Sequence, residues 1–125
     1  MISKKDIDEI LHYSISILGF IPQLMNSVRD EDNVVQLEGL NTVEKLLRQN
    51  NFFLANMTNN VEFFHALFEC IVSAFMVLHN NNEQFLAGNS DAQEAVESAE
   101  ARIRTASDIL RYMTEPKNNG VSNFY

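Results

Sequence analysis

The chain has 125 residues, 46% of them hydrophobic, and carries a formal charge of −8 from 17 acidic and 9 basic side chains. That length suits one domain with its own core, and the apolar fraction excludes a chain that stays disordered. The acidic excess repels phosphate backbones and anionic lipid, and a single cysteine, Cys70, excludes an internal disulfide, so the expectation is a cytoplasmic protein with neither nucleic acid nor membrane as partner.

Lys4 and Lys5 are followed by Asp6, Asp8 and Glu9, so the start does not read as a secretory signal. A first helix is predicted from Ser3, a residue able to cap it, with Ile7, Ile10, Leu11, Ser14, Ile17, Leu18, Ile21, Met25 and Val28 on one face. Gly19 and Pro22 interrupt it, because Pro22 has no amide to donate to Leu18 and crowds that carbonyl; a kink or break is expected there. A second helix follows the acidic cluster Asp30, Glu31 and Asp32. Leu37, Leu40, Val43 and Leu47 form its inner face, and Lys45 and Arg48 lie at the end that the helix dipole favours for cations. Gln49, Asn50 and Asn51 read as a turn, and the apolar Phe52, Phe53, Leu54 and Met57 make the connection beyond it pack on the core.

A third helix starts at Asn59, which with Glu62 resembles a capping box. Its stretch from Val61 to Leu78 falls short of the roughly 20 apolar residues of a membrane span and reads as a buried helix. Its apolar side chains cover so wide an arc that neighbours must enclose it, either inside the monomer or in an oligomer. Asn80, Asn81 and Asn82 are weak helix formers, yet Phe85 and Leu86 keep the phase, and Gly88 suits a left-handed helix end. The fourth helix, capped by Ser90 or Asp91, repeats Ala92, Val96, Ala99, Ile103, Ala106, Leu110 and Met113 in steps of four and three. This is a heptad seam whose alanines allow close approach, and Glu100 and Arg104 are spaced as an i,i+4 pair. Pro116 ends it. Residues 116–125 lack periodicity and are expected to form a flexible tail behind a helical bundle domain spanning 1–115.

The most specific-looking chemical pattern is a doubled Glu-x-x-His, Glu9/His12 and Glu62/His65, the spacing with which di-metal carboxylate bundles present two ligands from one helix face. Against it, Glu9 and His12 point away from the apolar face of their helix. The other two helices offer only Asp108 and Glu115 at the matching end, beside Arg48 and Arg111. His65 and Glu69 make two ligands, short of a site. His79 lacks the neighbours of a phosphotransfer histidine, and Cys70 in an apolar helix beside Glu69 reads as inert. The glycines form no phosphate loop, and the phenylalanines lack the interleaved basic residues of a base-stacking surface.

The sequence therefore points to an all-α antiparallel bundle of about four helical segments that works without cofactor or catalysis. It reads as an interaction module of the adaptor, secretion-chaperone, antitoxin, immunity-inhibitor or regulator kind. The expected partner is another protein, a basic one complementing the charge, and the expected state is a homodimer. The expected contact surface is Phe52, Phe53, Phe63, Phe64, Phe68 and Phe75. The alternative from another class is a metal- or small-ligand-binding bundle, with a di-metal enzyme built on Glu9/His12 and Glu62/His65 as its extreme form.

Overall fold

The computed structural model describes residues 18–115, which form five helices and no strand. Residues 18–28 are α1 as far as it is described; α2 is Asn33–Gln49, α3 Asn51–Thr58, α4 Val61–Leu86 and α5 Ser90–Thr114. The all-α bundle is as the periodicity predicts. The segment after Asn50 is a helix of its own rather than a bare connection, so the count is one higher than expected. The expected tail and the pair Glu9/His12 lie outside the described residues. The break expected at Gly19–Pro22 is absent, since residues 18–28 are helical without a gap.

Short polar side chains set the boundaries. Asp32 caps α2 by accepting from the amides of Val34 and Val35 at 2.9 and 3.2 Å. Asn50 ends α2 and caps α3 through Phe53 N at 2.8 Å. Asn60, not Asn59, caps α4 through Phe63 N at 3.1 Å, which leaves Glu62 out of any capping box. Asn89, rather than Ser90 or Asp91, caps α5 through Ala92 N at 3.0 Å. Each such cap is worth about 0.5–2 kcal/mol. The turn between α4 and α5 is a Schellman motif: Gly88 takes φ +84°, its amide donates to Phe85 O, and Asn89 N donates to Gln84 O at 3.0 Å.

The core gathers Met25 and Val28 of α1, Leu40, Val43 and Leu47 of α2, and Phe53, Leu54 and Met57 of α3. Phe63, Ala66, Leu67 and Cys70 of α4 and Ala106, Ile109 and Met113 of α5 complete it. Burial of a large apolar side chain contributes about 1.5–3 kcal/mol, so the phenylalanines and leucines of this set dominate the fold's stability. α1 approaches α2 so closely that a Cβ on Gly39 would lie 2.8 Å from Ser27 Cβ. Gln36 meets Arg102 and Arg48 stacks over the Tyr112 ring at 4.7 Å, so α2 and α5 run parallel. α4 and α5 form an antiparallel hairpin. Beyond Ala74, α4 has no fully buried side chain, and the matching half of α5 buries only Ala92, Val96 and Ala99.

Two inner faces differ from the sequence reading in the same way. On α5 the fully buried positions are Ala92, Val96, Ala99, Arg102, Ala106, Ile109 and Met113, while the expected Ile103 and Leu110 are half-buried. On α2 Gln36 is buried and the expected Leu37 is half-buried. At these positions the buried residue is the one before the expected aliphatic, the other inner positions are as expected, and the two polar side chains thus brought inside bond to each other.

Candidate functional site

α4 presents two opposite faces. Phe63, Ala66, Leu67, Cys70 and Ala74 turn inward, and Phe53 and Phe63 are fully buried, which removes both from the expected contact surface. Phe64 is half-buried. The remaining expected members lie outside: Phe52 on α3, Phe68 and Phe75 on α4. Sequence reasoning missed Val72 and Met76, which complete the outer face. Phe68, Val72, Phe75 and Met76 are 55, 59, 54 and 60% exposed. A shallow groove of about 530 Å³ runs along this face, lined by Phe68, Val72 and Met76 together with His65, Glu69 and Ser73. α4 is therefore not the enclosed helix its composition suggests. It is the one helix among the described residues long and apolar enough to cross a membrane by length and composition, and only 28% of its most apolar stretch is buried. Its hairpin partner α5 exposes Glu94, Glu97, Glu100 and Arg104 beside it, and such charges are costly in hydrocarbon.

The face is rimmed by charge. Arg29, in the turn after α1, approaches Glu69 at 3.9 Å and donates to Glu62 O at 3.5 Å. His65 Nε2 lies 3.9 Å from Glu69 Oε1. Glu62 and His65 are both exposed, and among the described residues no group of three or more His, Cys, Asp or Glu is placed to hold a metal ion. The spaced pair Glu100 and Arg104 is not among the ion pairs within 4.0 Å. No family model, curated protein or solved structure matches this chain. Its surface and its interior thus carry the whole functional argument.

Among the described residues the interior holds one polar cluster. Arg102 is 1% exposed; its Nη1 donates to Gln36 Oε1 at 2.9 Å, its Nε reaches Ser98 O at 3.4 Å, and its Nη2 is buried with no hydrogen-bond partner among the described residues. Gln36 Nε2 donates to Val28 O at 2.8 Å, and the Cys70 thiol donates to the same carbonyl at 3.1 Å. Burial lowers the pKa of the guanidinium. Burial also pushes the Cys70 thiol up to about 11, with Arg102 opposing and Glu69 adding to the rise. A thiol so protonated is a poor nucleophile at neutral pH. A cleft of about 190 Å³ beside this cluster is lined by Asp30, Glu31 and Glu69 as well as Arg29 and Gln36, a mixed set with no net preference for an anion. The cluster ties α1, α2, α4 and α5 together, and its chemistry is that of a brace.

Proposed function

We propose that this protein is a non-catalytic interaction module that works in the cytoplasm and docks another protein on the outer face of α4. The observation that carries the reading is the row of large apolar side chains, Phe68, Val72, Phe75 and Met76, held more than half exposed on a helix whose other face is fixed in the core. A contiguous exposed apolar patch of this kind marks an interaction surface. The rim alternates Glu62, Glu69 and Glu83 with His65 and His79, and favours a partner that offers imidazoles or cations to these carboxylates around an apolar centre. Against a catalytic reading stands the buried, protonated Cys70.

The test is affinity capture from native extract with three baits: the native chain, Val72→Glu, and Glu97→Lys on the exposed face of α5. Native and Glu97→Lys baits are expected to retain the same proteins, and Val72→Glu to lose them. Identical capture by all three baits sinks the assignment of the face.

A further inference from the structure

The outer face of α4 has a period. From Val61 to Leu86 the outward positions recur in alternating steps of four and three, through His65, Phe68, Val72, Phe75, His79 and Asn82, and every one of them is exposed. This is the spacing of a coiled-coil seam, on the side of the helix opposite the seam that packs in the core. A seam of this length asks for a helix, not for a loop or a flat sheet.

We infer that the occupant is α4 of a second copy of this chain, laid antiparallel across a two-fold axis near residues 73 and 74. The inference rests on the reading of this face as a docking surface and names its partner. The pattern reads the same from either end, as an isologous contact requires. Val72 meets Phe75 of the second copy on both sides of the axis, and Phe68 meets its His79. Further out, His65 meets Asn82 and Val61 meets Leu86.

Charge selects the same register. With Val72 opposite Phe75, His65 comes beside Glu83 of the second copy and Glu69 beside its His79. The two-fold repeats both contacts, so four imidazoles face four carboxylates. An imidazole N–H donates to a carboxylate in either protonation state. A parallel pairing would set His65 against His65 and His79 against His79, like against like. The antiparallel register has one unfavourable contact, Glu62 toward Glu83 of the second copy, likewise repeated by the two-fold, with His65 close to both. α4 is about 39 Å long for its 26 residues. A footprint one helix wide is at the small end of specific interfaces, so the dimer forms with concentration rather than permanently.

Light scattering coupled to size exclusion, over about 1 to 100 μM, reads the association on the native full-length chain. A rise from 14.3 kDa toward twice that mass is expected, and Val72→Glu, which buries two charges at the central layer, should weaken it ~100-fold or more. Val72 is exposed, so the variant keeps its monomer fold, checked by its helical circular dichroism. Register is read by disulfides. The antiparallel pairing separates the two copies of residue 65 by about 26 Å along the axis. His65→Cys alone should therefore stay uncrosslinked on oxidation, as should Asn82→Cys alone, whereas their mixture should give a covalent heterodimer. Crosslinking of His65→Cys with itself overturns the register. A monomer at 100 μM overturns the second copy as occupant, while identical capture by the native and Val72→Glu baits overturns the docking face itself, so the two failures are distinct. A monomer that floats with phosphatidylcholine vesicles overturns the inference in favour of lipid.

Discussion

Arg102 and Gln36 make an experiment whose outcome changes sign. The guanidinium is 1% exposed, has one good acceptor in Gln36 and a long bond to Ser98 O, and among the described residues has no carboxylate within 4.0 Å. Replacing Gln36 by Leu keeps the volume and removes that acceptor. A hydrogen bond to a charged group is worth about 1.5–3 kcal/mol, and Val28 O keeps one donor, the Cys70 thiol. Gln36→Leu should therefore cost about 2–4 kcal/mol. Over a domain of this size that lowers the melting temperature by roughly 10–20 °C. Adding Arg102→Met removes the stranded charge. A buried ion replaced by an apolar side chain of similar volume is often neutral or stabilising by about 1–4 kcal/mol. The double variant should then return to the native midpoint or exceed it. Urea unfolding followed by circular dichroism gives all the midpoints, and the two single variants with the double close a cycle that isolates the coupling. A double variant as weak as Gln36→Leu alone would refute the argument that the cost lies in the unpaired guanidinium.

Gly39→Ala should destabilise by about 1–3 kcal/mol despite the helix propensity it gains, because the new methyl meets Ser27 Cβ at 2.8 Å and backbone at 3.2 Å; an unchanged midpoint would mean that α1 slides freely over α2. Ala99→Leu should cost about 1–3 kcal/mol by overpacking a site with no exposure between α5 and α4, and a neutral result would place Ala99 on the surface. The Cys70 thiol, raised from its ordinary 9.0 to about 11, stays protonated in the folded chain while the unfolded chain ionises. Its contribution is complete below pH 9 and is lost as the pH rises through about 11, about 1–3 kcal/mol in all. The fall in stability across that window should be shallower in a Cys70→Ala variant, and parallel curves would contradict the shift.

The fold class was readable because four long segments repeat every three to four residues, and no strand pattern competes with them. α3 was not, since eight residues make barely two turns and give no period to detect. The caps were read one residue out at α4 because Asn59 and Asn60 are chemically equivalent and only the path of the chain chooses between them. On α4 the apolar arc is so wide that composition leaves the inward side open. Phe63 could not be told from Phe68 and Phe75 until α5 was in place. Arg102 and Gln36 were missed for a different reason. Charged and amide side chains are placed outside by default, and here each lies next to an aliphatic residue, Ile103 or Leu37, that fits the seam as well. The one available signal was Arg102 midway between Ala99 and Ala106, where a straight helix drifts from a strict heptad.

The α4–α5 hairpin has an uneven grip along its length. Near the core it is clamped by Phe63, Leu67, Ile109 and Met113; toward Gly88 it is held by Ala74, Ala92, Val96 and Ala99, side chains that remove little apolar area from water. Free energy of opening should therefore fall along the hairpin, so that amides from about 78 to 94 exchange with solvent through local separation of the two helix ends long before the bundle unfolds. Whatever covers α4 from outside also closes this end. Slowed exchange of those amides at high protein concentration would then be the record of that cover, written in a part of the chain that on its own is the first to open.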